Sequence, residues 1–399
     1  MVTASAVAAP PPQDRPAGIR RSSAYLVELE ALRGVAIALV FLWHLSGQVN
    51  WGGPRPADMI TPLTAGIFAG HTGVSLFFVL SAFLLSLPFL EEAAGGRRVD
   101  RSNYARRRAL RILPLYWFAV VVATLATADR WQDLQRGFPY LVFLNAFPGW
   151  TVPIQPYSAV WWSLATEVHF YLLLPSLPFF LRRRRLGTAV LAGYAAAYGL
   201  FLAGRLHADT IPGEILLRLS VFGRSPFFLL GILAAELYRR CGARWREGLQ
   251  ERRWLAAGGA DAILLALATA LAVVLTWATR HALPTEPMPT FAWRLAEAPL
   301  WTAIVLVALL APLRCRPLLR SRALTTLGTL SYSIYVVHLP VIFFAWMALR
   351  RIGHGAFIGW GVPAVLAGAG VAAAAIGLAT LTYRFVERPF LVRKARLDR

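Results

Sequence analysis

The chain is short of charge. Only 15% of its 399 residues are Asp, Glu, Lys or Arg, against 57% hydrophobic, and its mean hydropathy is +0.54. That balance excludes a disordered chain and an ordinary soluble domain, in which about 25% of residues are charged. Cysteine is scarcer still. The two present, Cys241 and Cys315, both lie in arginine-rich stretches, which excludes a disulfide-stapled secreted fold and predicts reduced thiols. Lysine is almost missing: Lys394 stands alone among 41 basic residues. The arginines form short clusters between apolar runs, so the net charge of +21 is not the continuous basic face that nucleic acid would need. There is no Gly-rich phosphate loop, no Gly-x-Ser-x-Gly elbow and no close spacing of His with Cys or carboxylates. Neither a protein-held metal nor a tightly bound cofactor is therefore expected. The opening MVTASAVAAPPPQDRPAGIRRSS lacks the charged start, apolar centre and cleavage site of a signal peptide, and residues 1–27 read as a disordered cytoplasmic tail.

What the chain has instead is apolar runs of helical crossing length; barrel strands would be shorter and alternating. Ten helices are expected, at 28–49, 70–90, 110–128, 160–181, 186–204, 220–238, 255–278, 296–312, 324–349 and 358–386. The fold class is all-α, a polytopic membrane protein of about ten crossings with a transmembrane domain at 28–390 and a basic tail at 391–399. Placing both ends in the cytoplasm puts Arg182 to Arg185 and the other arginine clusters on the inner side at every turn, as the positive-inside rule requires. A multi-pass protein of the cell membrane follows, with the lipid bilayer as its first partner. The longest outer segment, 129–159, holds Trp131, Pro139, Trp150, Pro153 and Pro156 and is expected to pack over an outer cavity or dip into the interface.

Ionisable residues inside such helices are costly and face a bundle interior or wet cavity. Arg33 and His44 are eleven residues apart, which on a helix is about 20° beyond three full turns and a rise of about 16 Å, so they share a face. A guanidinium at the inner mouth suits a phosphorylated donor, and an imidazole further out suits taking a hydroxyl proton or receiving an acyl group. A snorkelling arginine and a packing histidine explain the same spacing. His71 opens the next helix and is expected to line the cavity of His44. Arg108 and Arg111 crowd the inner end of the third helix, three residues apart. Ser163, Glu167 and Tyr171 make one polar stripe, in which a buried Glu167 needs a partner and would raise the basicity of a histidine; His169 lies off that face. Arg224 sits near the outer part of the sixth helix. Ser331, Tyr335 and His338 share a face of the ninth, and Arg384, Glu387 and Arg388 read as a structural ion pair at the inner boundary.

The ordered set is more specific than any member. Arg33 and His44 with ten residues between them, then GVSLFFVLSAF, RRRALRILPLY, WSLATEVHFY, GRSPFFLLG and YSIYVVHLP, resemble the acyltransferase-3 family of integral membrane acyltransferases from about Glu28 to Phe390. Ala82 stands where that family usually has glycine, and Ser75 where an acidic residue is frequent. The resemblance implies transfer of an acyl group, often acetyl, from cytoplasmic acyl-CoA to a hydroxyl of a carbohydrate or glycosylated molecule. Acyl-CoA is then a cosubstrate, His44 the catalytic residue supported by Glu167, and Arg33, Arg108 and Arg111 the donor site. His71, Arg224, Tyr335 and His338 complete the candidate substrate-binding set. Many relatives add a soluble esterase-like domain, which here is expected to be a separate protein or absent. Two alternatives stay open: a glycosylated secondary metabolite such as a macrolide as acceptor, and a multi-pass transporter, against which the lack of visible repeats counts. Oligomeric state is not legible.

Overall fold

The computed structural model describes residues 27–49, 59–147, 153–205, 219–281, 289–352 and 362–396. Nearly all of the expected disordered tail, Trp150 and the last three residues of the basic tail lie outside them. The described chain is helical, with no strand among the described residues. Its principal helices are α1 (Val27–Val49), α2 (Thr72–Ala93), α3 (Arg101–Thr127), α4 (Trp162–Leu173), α5 (Leu177–Arg182), α6 (Arg184–Arg205), α7 (Ser225–Glu251), α8 (Ala260–His281), α9 (Pro289–Leu310), α10 (Arg322–Ile352), α11 (Val362–Thr382) and α12 (Arg388–Arg396).

Every expected helix has a counterpart, and the departures have local causes. Helix α3 starts nine residues earlier than expected because Asp100 caps it, its side chain accepting from the Asn103 amide at 3.1 Å. The stretch 160–181, expected as one helix, is divided into α4 and α5 by a 3-10 turn at Leu174–Ser176. Pro175 and Pro178 supply no amide hydrogen to continue the ladder there. Helix α7 runs on through the expected inner loop, with Glu236 bonded to Arg239 at 2.8 Å and to Arg240. The described part of the basic tail, to Arg396, is helical too, since a π turn at Tyr383–Glu387 joins α11 to α12. The long outer segment folds into short turns, with Tyr140 buried and bonded to Ser158 at 3.1 Å.

Eight helical segments among the described residues are long and apolar enough to cross a membrane, which makes the chain an all-α polytopic membrane protein. The expected crossings α6 and α7 do not meet that test. In α7 the apolar run is short, because it begins behind Arg224 and reaches Glu236 after about three turns.

Helix α1 packs into the bundle along one face. Ala31, Ala36 and Val40 on it are fully buried, between α2 on one side and α10 on the other. Helices α1 and α10 cross backbone to backbone at Gly34 and Gly328: a Cβ on Gly328 would lie 1.9 Å from the Glu30 carbonyl oxygen, and one on Gly34 2.2 Å from that of Leu324. Only glycine permits this approach. Numbers rise together along the two helices, from Glu30 with Thr329, through Arg33 with Ser331, to His44 with His338, so they run parallel as they cross. A second close crossing, of α2 with α7, is made by Gly231, where a Cβ would sit 2.7 Å from that of Ala82. The glycine expected at position 82 is thus found on the opposing helix.

At the arginine-rich end, buried carboxylates tie helix ends together. Glu28 of α1 pairs with Arg316 at 2.9 Å and Arg320 at 2.7 Å. Glu92 of α2 pairs with Arg101 of α3, and its carbonyl accepts from Arg182 at 2.6 Å.

Candidate functional site

The parallel crossing of α1 and α10 brings together residues that sequence spacing leaves 294 positions apart. His338 Nε2 lies 3.2 Å from His44 Nδ1, with ring centroids 4.9 Å apart and the rings at 62°. His338 is fully buried. Its Nδ1 lies 2.8 Å from the Tyr335 carbonyl and 3.1 Å from that of Ile334, while His44 Nδ1 lies 2.8 Å from the Val40 carbonyl one turn back. An aromatic cluster continues from this pair: Trp43 is 4.4 Å from His44 and 5.5 Å from His71, and His71 is 5.5 Å from Trp293. His71 therefore does share the surroundings of His44.

Towards the arginine end, a small cavity of about 50 Å³ is lined by Arg33, Ser81, Ser163, Glu167, Ser331 and Tyr335 among others. Arg33 Nη2 donates to Ser331 Oγ at 3.3 Å, and its buried Nε has no hydrogen-bond partner. Glu167 accepts from Tyr171 at 2.5 Å and from Ser81. Tyr335 bonds Ser163 at 2.6 Å and donates to the Val160 carbonyl at 2.9 Å; its ring lies 5.7 Å from His338. The cavity therefore leads from Arg33 to Tyr335, and through Tyr335 to the histidine pair. The stripe of Ser163, Glu167 and Tyr171 is engaged along its length.

Two expectations need correction. The bonds of Glu167 go to Ser81 and Tyr171, and the group beside His44 is the imidazole of His338 rather than a carboxylate. Glu387 pairs with neither neighbouring arginine: it forms a buried ion pair with Arg111 across helices and accepts from Ser333 at 2.7 Å. The Arg111 charge is thus compensated within the protein. Arg108 differs. It lies over the Tyr171 ring at 6.0 Å, its Nε has no partner, and it makes no ion pair among the described residues.

Arg224 lies apart from this cavity. It is 6% exposed and stands over the Trp162 ring at 4.9 Å, in a buried cluster with Arg294 and Glu297. Glu297 is fully buried and accepts from Thr72 at 2.5 Å, and Thr72 accepts from Trp301 Nε1 at 2.6 Å. Ser75 adjoins Glu297, so an acidic group reaches position 75 from α9 instead of from α2. Glu297 and Arg294 escaped the sequence reading although the rule that singled out Glu167, an ionisable group inside an apolar run, applies equally to them. Trp43 and Trp293 escaped because aromatic residues are common in such helices.

The acyltransferase domain family Acyl_transf_3 matches residues 26–384. The O-acetyltransferase OatA of Staphylococcus aureus is 26% identical over 184 residues, 41% of this chain and 26% of that longer protein. Acyltransferase MdmB of Streptomyces mycarofaciens is 28% identical over 82% of this chain and 80% of its own length. The exopolysaccharide production protein ExoZ of Rhizobium meliloti is 29% identical over 81% of this chain and 90% of its own. No solved structure matches. With the Arg33 and His44 helix packed against α2 and α10 and the family match running through nearly all of the described helices, the chain belongs to the acyltransferase-3 family of membrane acyltransferases.

Proposed function

We propose that the protein transfers a short acyl group, acetyl in the simplest case, from acyl-CoA at the arginine-rich, cytoplasmic face to a hydroxyl of a carbohydrate presented from the opposite side. The observation that carries this reading is the path from Arg33 to His44: a polar cavity lined by Arg33, Glu167 and Tyr335, with the Tyr335 ring beside His338 and His338 in contact with His44. The similarity to OatA supports O-acetyl transfer, and that to ExoZ supports a polysaccharide acceptor.

The donor site fits the residues present, because Arg33 and Arg108 keep buried Nε–H groups with no partner and a phosphorylated donor brings acceptor oxygens. Arg111, held by Glu387, contributes field rather than a contact. At about 50 Å³ the cavity takes a few waters and no thioester-bearing arm, so donor entry parts the hydroxyl contacts of Ser81, Glu167, Tyr171 and Ser163 with Tyr335. His44 then acts as general base. The acceptor hydroxyl gives its proton to the imidazole as its oxygen attacks the thioester carbonyl; the C–S bond breaks, the ester forms, and the proton passes from His44 to the departing thiolate. Charge changes hands only at His44, and Glu167 positions the path without touching that imidazole.

The test is transfer of labelled acetyl from acetyl-CoA by purified protein in sealed vesicles, with polysaccharide and glycosylated small-molecule acceptors supplied in turn on either side. Label on a saccharide hydroxyl, dependent on His44, is the expected result. Uptake of an acceptor that emerges unmodified would restore the transporter reading.

A further inference from the structure

The hydrogen-bond geometry around the histidine pair decides which nitrogens carry protons. A ring nitrogen 2.8 Å from a carbonyl oxygen must be the N–H, since two acceptors do not approach so closely. His338 Nδ1 faces the carbonyls of Tyr335 and Ile334, at 2.8 and 3.1 Å, so its proton is on Nδ1 and its Nε2 is an acceptor. His44 Nδ1 faces the Val40 carbonyl at 2.8 Å and His338 Nε2 at 3.2 Å, so Nδ1 of His44 is also protonated. The lone pair of neutral His44 is then on Nε2, the nitrogen that takes the proton in the proposed reaction.

On this geometry, and resting on the reading of His44 as general base, we infer that His338 is a positioning residue: it locks His44 in the Nδ1–H tautomer and stabilises the imidazolium formed when Nε2 takes a proton. Two acceptors, the Val40 carbonyl and the His338 imidazole, converge on the one N–H whose charge grows in the reaction. This is the work a carboxylate does in a Ser-His-Asp triad, done by a neutral group. A neutral partner suits the site, because a buried carboxylate here would carry a full charge into an apolar surround of Phe41, Tyr335 and Trp43. The titratable groups near the pair are Tyr335 on α10 and His71 at the start of α2, with Glu167 and Arg33 further along the cavity. His338 itself is rigid: α10 supplies both carbonyls that hold its Nδ1, and the Gly34 and Gly328 crossing ten residues earlier on each helix sets its height against His44.

Two substitutions separate this role from simple packing. In His338→Asn the amide keeps the reach of Nδ1 to the helix carbonyls and loses the contact with His44. In His338→Gln the amide oxygen reaches the place of Nε2 and accepts from His44. His338→Asn is expected to lower kcat by about 10–100-fold, as loss of an orienting partner does elsewhere, with little change in KM for donor or acceptor. His338→Gln is expected to recover most of that loss. The acid limb of the kcat–pH profile should move to lower pH in His338→Asn, because the acceptor that favoured the charged form is gone. Equal activity in the two variants, or a drop in kcat with an unmoved pH profile, would overturn the inference. A second readout needs no substrate: the ¹⁵N shifts of histidine-labelled protein, with His44 assigned by its loss in His44→Gln. A dominant Nδ1–H tautomer in the wild type that becomes mixed in His338→Asn is the expected outcome, and a dominant Nε2–H tautomer sinks the inference. Should no acyl transfer be found, the enzyme reading falls while the ¹⁵N experiment still judges the pairing.

Discussion

The two ends of the Arg33 to His44 path solve opposite electrostatic problems. At the arginine end charge is abundant, and the buried carboxylates there each hold a guanidinium: Glu28 with Arg316 and Arg320, Glu92 with Arg101, Glu387 with Arg111. Arg33, which lines the polar cavity, and Arg108, over the Tyr171 ring, have no carboxylate bonded to them among the described residues. At the histidine end imidazoles and backbone carbonyls hold one another. Binding a charged donor calls for cations left uncompensated, whereas moving a proton calls for a neutral group that becomes charged only during the reaction. The contrast fits the proposed reaction, in which donor and chemistry lie at different depths.

The contrast can be broken at either end. His44→Ala should give the largest effect, a loss of acyl transfer of about 10³-fold or more, with unchanged yield and thermal stability; an active, well-inserted variant would remove His44 from the mechanism. Glu387→Ala acts on stability instead. It strands the buried Arg111 charge and should cost about 3–5 kcal/mol, read as a lower midpoint in thermal unfolding, with any loss of activity following the folded fraction.

Next comes Gly328→Ala, whose added methyl meets the Glu30 carbonyl at 1.9 Å and must push α10 from α1. A cost of about 1–3 kcal/mol is expected, along with a fall in kcat as His338 moves away from His44; wild-type kcat would show that the crossing does not set the pair. Arg108→Ala should leave stability unchanged and raise KM for the acyl donor by about 10-fold or more, the worth of a charge-assisted contact, whereas a stability loss without a KM effect would make Arg108 structural. The smallest effect belongs to Arg240→Ala at the exposed end of α7: its pair with Glu236 leaves the Arg240 side chain 64% exposed, and about 0.5 kcal/mol or less is expected.

Much of the path was legible beforehand because its members are ionisable groups in apolar helices, and such groups announce themselves. The face shared by Arg33 and His44 follows from helical period alone, and so does the stripe of Ser163, Glu167 and Tyr171. Partners were not legible. That Glu387 serves Arg111 rather than its own neighbours, and that Glu297 adjoins Ser75, are facts about crossings between helices far apart in the chain. Assignments that depend on partners shifted accordingly: Arg111 is a charge compensated by Glu387, Glu167 is bonded to Ser81 and Tyr171, and Arg224 is a member of a separate buried cluster.

What the sequence by itself determined is the solvent and the family. Hydropathy sets the number and type of elements, since in lipid every backbone group of a crossing must bond within its own helix, and six short signatures in order identify the fold's kin. Only the tertiary structure decided that His44 meets His338. Periodicity gives the face of a helix and nothing about its height against a neighbour. Here that height is set by two glycines, Gly34 and Gly328, whose missing side chains let α1 and α10 touch at one point, and the histidines ten residues beyond them on each helix meet as a result.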